Sequence, residues 1–121
     1  MSHPRSLSLT HIQDDVNHAL VHELVHAYDH CRAASLDWSA CEHHACSEVR
    51  AATLSGDCTF RQEAARGNWT LRAGAQACAR RRAALSVAMN PHCGGPAAAR
   101  RAVDAVFEKC FADTAPFDRI P

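Results

Sequence analysis

The stretch that decides the fold is Asp14-Asp15-Val16-Asn17-His18-Ala19-Leu20-Val21-His22-Glu23-Leu24-Val25-His26-Ala27-Tyr28-Asp29-His30-Cys31-Arg32. It contains no glycine or proline, and it opens on two acidic residues where the helix dipole favours negative charge, so a helix is predicted over residues 14–32. At its centre His22-Glu23-Leu24-Val25-His26 is an HExxH motif. An i, i+4 pair lies on one helical face about 6 Å apart along the axis, so two imidazoles can converge on one Zn²⁺. The glutamate between them reaches a water at the same place, takes its proton as the oxygen attacks a peptide carbonyl, and returns it to the leaving amine. His22 and His26 are therefore candidate metal ligands, and Glu23 is the candidate catalytic residue.

Histidine also stands at 18 and 30, continuing the four-residue spacing. At a rise of about 1.5 Å per residue, His30 sits about 12 Å along the axis from His22, too far to share one tetrahedral ion on a continuous helix. It reads as a structural or supporting group. A chain with nine histidines produces an HExxH by chance in about a few per cent of cases, so the helical setting and the ligands downstream carry the weight.

The third ligand must come from another element. A second helix, expected over residues 40–54, offers His43, His44 and Glu48. Glu48 lies 22 residues beyond His26, which suits a helix, a turn and an antiparallel helix returning its carboxylate to the metal. Glu48 is the choice and His44 the alternative; otherwise Glu48 is half of a salt bridge with a nearby arginine. Asp29 and Asp57 are candidates for carboxylates that orient the imidazoles, or else caps and surface charges. Tyr28 is an oxyanion donor or a packing residue.

Further along, Leu36-Asp37-Trp38-Ser39 reads as a loop and Gly56 as a helix stop. A short helix is expected over 59–66, then one capped by Thr70 and running to about 89, where Asn90-Pro91 ends it. Pro96 opens a last helix whose Val103, Val106, Phe107 and Cys110 recur at helical spacing. No strand pattern is strong. The expectation is a mainly α fold of four to five helices in one domain, 1–121, with 1–11 a disordered N-terminus and 12–121 the catalytic and C-terminal helical region.

Of this 121-residue chain 47% is hydrophobic, but 24 alanines and seven cysteines make up over half of that share. The core must be thin and must draw support from cysteines, a metal or a partner. The cysteines at 31, 41, 46, 58, 78, 93 and 110 form no CxxC pair. Disulfides in an oxidising compartment are expected, with one thiol left over. Cys78 and Cys110 are nearly equidistant from the turn at 91–96, and a bridge between them is predicted. Thirteen basic against thirteen acidic residues argues against a nucleic-acid partner. Arg80-Arg81-Arg82 reads as a solvated helix face or a membrane-surface contact. No apolar run approaches the length of a membrane span, leaving at most peripheral contact.

Several segments together carry a resemblance: residues 22–32; Asp37-Trp38; His43-His44-Ala45-Cys46-Ser47-Glu48-Val49-Arg50-Ala51-Ala52; Leu54-Ser55-Gly56-Asp57-Cys58; and, later, residues 78–87, Asn90-Pro91, residues 102–107 and residues 110–117. They closely resemble a mitochondrial inner-membrane metalloprotease family that processes and assembles subunit 6 of the ATP synthase. The resemblance implies a zinc endopeptidase with a zincin-like active-site helix, peripheral on the intermembrane-space side and disulfide-rich. It implies as substrate the subunit 6 precursor, and as a second task assistance to assembly of the membrane sector. It matches His22 and His26 to the motif's ligands and Glu23 to its catalytic acid, and places Glu48 in the matching Ser-Glu-x-Arg-Ala-Ala segment. Members carry a further N-terminal portion, and in zinc peptidases generally the upstream region is a sheet that binds substrate by strand addition; here that region is expected to be missing. Two alternatives follow: a non-catalytic assembly factor, and an inactive truncated member. A weaker third reading is a disulfide-stapled helical protein without metal, suggested by the Cys31 to Cys41 spacing.

Overall fold

The HExxH run lies within a 30-residue helix, α1 (His3–Arg32). The computed structural model describes residues 3–33, 35–67 and 74–121. Helix α1 starts at His3, ahead of the expected start near Asp14 and within the segment expected to be disordered. Pro4 falls in the first turn, where its missing N–H costs nothing, and no glycine or proline interrupts the chain from there to Arg32. The other helices are α2 (Cys41–Leu54), α3 (Phe60–Ala65), α4 (Gly74–Ala88) and α5 (Pro96–Ala112), with a 3₁₀ turn at Pro91–Cys93. No strand occurs among the described residues. The fold is mainly α, as predicted. Thr59 caps α3 by accepting from the Gln62 N–H, and Pro96 occupies the first turn of α5. The predicted cap at Thr70 lies outside the described residues.

Helix α2 is the centre of the molecule, packed against α1 on one side and against α4 and α5 on the other. It is buried almost all round from Ala45 to Leu54, which its small residues allow by letting neighbouring backbones approach. The main core joins Ala45, Val49 and Ala52 of α2 to Ala79, Ala83 and Val87 of α4 and to Ala99, Val103 and Phe107 of α5. Alanine contributes little area to such a core, and three disulfides reinforce it: Cys41–Cys93, Cys46–Cys110 and Cys58–Cys78.

The predicted Cys78–Cys110 bridge is therefore wrong. Equal distance from the α4–α5 turn sets the level of each cysteine along the hairpin but not the face it occupies. Cys78 faces the α2–α3 loop and Cys110 faces α2. Cys41 is likewise paired away from Cys31, which is the free, exposed thiol that the odd count requires.

No disulfide reaches α1. Among the described residues its apolar attachment is Val25 and Val21 against Ala51 and Leu54, and its other contacts named here are polar. Arg50, 1% exposed, meets Asp29 Oδ1 through Nη2 at 2.9 Å and through Nε at 3.0 Å, and donates from Nη1 to the carbonyl of Asp113 and from Nη2 to that of Ala115, beyond α5. One guanidinium thus ties α1, α2 and the C-terminal segment together. Arg50→Ala leaves the buried Asp29 carboxylate with only the Ser47 hydroxyl and the more distant Arg32, 3.6 Å away, and is expected to cost about 3–5 kcal/mol, against under ~1 kcal/mol for Arg80→Ala at its exposed pair. Urea unfolding with the disulfides intact reads both; equal losses would remove Arg50 from this central role.

Candidate metal centre

His22 and His26 project from successive turns of α1 onto α2, their ring centroids 4.8 Å apart and nearly perpendicular. Glu48, at the end of the second turn of α2, meets both: Oε2 lies 3.5 Å from His22 Nε2 and Oε1 lies 3.1 Å from His26 Nε2. One ligand atom from each of the three lies within 4.8 Å of the others. A tetrahedral Zn²⁺ with bonds near 2.0–2.1 Å separates its ligands by roughly 3.3 Å, so the two imidazole–carboxylate distances already suit a shared ion.

The far side of each ring is also engaged. His22 Nδ1 faces Asp57 Oδ2 at 3.5 Å. His26 Nδ1 is 2.8 Å from Ser47 Oγ, which is 2.7 Å from Asp29 Oδ2. Asp29 is ion-paired with Arg50, so its carboxylate only accepts, and the single Ser47 proton goes to it. Ser47 Oγ must then accept from His26 Nδ1–H, so Nε2 is the nitrogen that faces Glu48 and is placed to take a metal. That is the arrangement a metal-ligating imidazole needs.

Electrostatics agree with the geometry. Hydrogen bonds to Asp57 and Glu48 push the His22 pKa up to about 9 in the metal-free chain, against the opposing effect of burial. Burial alone raises the Glu48 pKa, but hydrogen bonds from His22, His26 and His44 outweigh it and hold the carboxyl well below its usual range. Asp57 is similarly held low against burial, by His22 and Ser55 and then by the charge of Arg82. A partly buried site that gathers carboxylates around imidazoles favours a cation.

Gly56 makes the Asp57 approach possible. Its φ is +89°, and a Cβ there would stand 3.0 Å from His18 Nε2; the turn therefore needs glycine both for its backbone and for contact with α1.

The remaining histidines fall outside the trio. His44 Nε2 is 3.5 Å from Glu48 Oε1 while its Nδ1 contacts Asn90 Nδ2 at 3.1 Å. His43 Nδ1 accepts from the Asp37 N–H and lines a different cavity. His18 meets Gln62, and His30 stacks on Trp38. Tyr28 lies beneath the Arg32 and Arg50 guanidiniums, 5.1 and 6.0 Å from the ring centre, and so serves packing. Glu48 pairs with histidines and with no arginine among the described residues. Asp29 acts through Ser47 rather than directly on a ring.

Open space surrounds the trio. Exposed Glu23 lines one cavity with His26, Trp38, His44 and Glu48, and a second, about 350 Å³, with His18, His22, Asp57 and Arg82. A third, about 130 Å³, lies between His22, Glu48, Arg82, Leu85 and Met89. Larger cavities of about 400 and 490 Å³ contain none of the trio. Reading the sequence alone missed Ser47, Trp38 and Arg82. Ser47 carried no signal of its own, since it lies about 100° around α2 from its neighbour Glu48.

The peptidase M76 family model matches residues 8–118. Over 117 residues the chain is 50% identical to a Mycosarcoma maydis protein named mitochondrial inner membrane protease ATP23, covering 96% of this chain and 52% of that protein. The ATP23 homolog of Danio rerio is 50% identical over 112 residues, covering 92% and 43%. The Homo sapiens homolog is 48% identical over 112 residues, covering 92% and 45%. The chain thus spans about half the length of the curated relatives it matches. No solved structure matches.

Proposed function

The chain belongs to the peptidase M76 family, and from that premise we propose that residues 1–121 form a single metallopeptidase domain, a zinc-dependent endopeptidase holding one Zn²⁺ on His22, His26 and Glu48. The observation that carries this reading is the donor set. Two imidazoles present Nε2 to one buried carboxylate, and each has an outer partner on Nδ1.

Zinc bound there supplies a Lewis acid that acidifies water and polarises a carbonyl. The chain supplies the rest. The Glu23 carboxylate takes the water proton during attack on the peptide carbonyl and delivers it to the amine nitrogen as the C–N bond breaks. Ser47 and Asp57 hold the two rings in orientation. Trp38, whose ring centre lies 5.8 Å from that of His26 and 6.0 Å from that of His44, lines the cavity it shares with Glu23 and Glu48.

The proposed location is the mitochondrial inner membrane, on its intermembrane-space side; the relatives' names support the membrane, and the resemblance of residues 22–58 and 78–117 supports the side. No helix among the described residues is long and apolar enough to cross a membrane, so the proposed association is peripheral. The proposed substrate is the ATP synthase subunit 6 precursor, with assembly of the membrane sector as a second task.

One observation favours a second reading, an assembly factor in which chemistry is secondary. Ile12, Val16, Leu20 and Leu24 recur every four residues on α1 and are between 47% and 65% exposed, a stripe suited to an apolar partner subunit.

The deciding experiment is cleavage of a subunit 6 precursor peptide by the purified chain, with zinc measured by mass spectrometry. One zinc per chain is expected, with cleavage lost on chelation by 1,10-phenanthroline and regained with added zinc. Cleavage that persists in the metal-free chain would overturn the zinc reading. A zinc-loaded chain without cleavage would favour the assembly factor.

A further inference from the structure

The three arginines that read as one solvated face separate into different roles. Arg80 pairs with Asp104 at 2.6 Å and lies over the Phe107 ring. Arg81 pairs with Glu63 at 2.9 Å. Arg82 is half-buried and forms no ion pair within 4.0 Å among the described residues, although its charge acts on Asp57.

Its position is specific. Arg82 lines both cavities that flank His22: the one shared with Glu48, Leu85 and Met89, and the one shared with Glu23 and Asp57. A guanidinium carries five N–H donors, and those of Arg82 are available to a group that enters the cavities it lines. Among the described residues Arg82 has no ion-pair partner, and it lines the cavities that hold His22 with Glu23 on one side and with Glu48 on the other. The acceptor that peptide cleavage brings to this place is a carbonyl oxygen.

Resting on the peptidase reading, we propose that Arg82 is the electrophilic group of the site, donating N–H hydrogen bonds to the oxygen of the scissile carbonyl. As the water oxygen bonds to the carbonyl carbon, the C=O π pair moves onto that oxygen and the water proton passes to Glu23. Arg82 stabilises the negative charge so formed, which is stronger than the charge on the ground-state carbonyl. On collapse the pair returns, the C–N bond breaks, and the nitrogen leaves with the proton from Glu23.

The test uses Arg82→Ala, Arg82→Gln and Arg82→Lys in the full chain. Five quantities are read: zinc content, zinc affinity by chelator competition, kcat and KM on a peptide substrate, and affinity for a phosphinic pseudopeptide that mimics the tetrahedral species. Arg82→Ala is expected to keep its zinc and its zinc affinity. It should lose about 10²–10³ in kcat with KM within about threefold, and phosphinic affinity should fall in parallel. Arg82→Lys should recover part of both losses. Should Arg82→Ala fail to fold, the Gln and Lys variants carry the comparison. Phosphinic affinity and kcat near wild type, with only zinc affinity reduced, would mean that Arg82 acts through Asp57 and would overturn the proposal. A loss confined to KM for acidic peptides would also overturn it. Wild type that binds zinc but neither cleaves nor binds the phosphinic peptide would overturn the peptidase reading itself, an outcome distinct from both.

Discussion

Glu23→Gln is expected to leave zinc content, helicity and stability at wild-type levels while lowering peptide cleavage by about 10²–10⁴-fold. The separation follows from where Glu23 sits. It is exposed on α1, outside the trio of His22, His26 and Glu48, yet it lines cavities on both sides of that trio. An amide of the same shape preserves those contacts but cannot accept a proton from water or hand one to an amine. Zinc per chain and single-turnover cleavage, measured on one preparation, check the two halves together. Cleavage within threefold of wild type would remove Glu23 from proton transfer; loss of zinc would place it among the ligands. The same variant separates the two functional readings, because an assembly factor without chemistry would still support ATP synthase assembly.

Helix α1 and its motif were legible because both depend on local order: a run without breakers and an i, i+4 spacing. Glu48 was reachable by counting, since a helix, a loop and a returning helix leave few positions opposite His26. What the sequence hides is azimuth. Cys78 and Cys110 sit at matching levels of the α4–α5 hairpin, and only the packing of α2 against both helices shows that they face different partners. The arginine run hides its roles for the same reason. Residues 80, 81 and 82 are consecutive in sequence but about 100° apart around the helix, so they meet Asp104, Glu63 and the His22 cavities respectively. Ser47 and Arg50 carry no motif. Their importance appears only once Asp29 is seen buried between them.

Glu48→Ala tests the site and the architecture together, and its effect should exceed that of any outer partner. Removing a group behind a ligating histidine typically costs 10–100-fold in metal affinity; removing one of three ligands should cost more, with cleavage lost at micromolar zinc. Helix α1 has no disulfide and only a small apolar contact with α2, so a metal held by His22 and His26 from one helix and Glu48 from the other would bridge them. Ligand that binds only the docked state stabilises it by about 2.7 kcal/mol at a hundredfold excess over Kd. In wild type, added zinc should therefore slow hydrogen exchange along α1 while leaving α4 and α5, already stapled, unchanged. In Glu48→Ala that protection should vanish. With Cys31 alkylated to exclude a thiolate ligand, wild-type zinc affinity in Glu48→Ala together with its loss in His44→Ala would transfer the third position to His44, whose Nε2 lies 3.5 Å from the same carboxylate. Zinc binding without α1 protection would show instead that the helix is held by the Asp29–Arg50 pair, and that the metal serves chemistry alone.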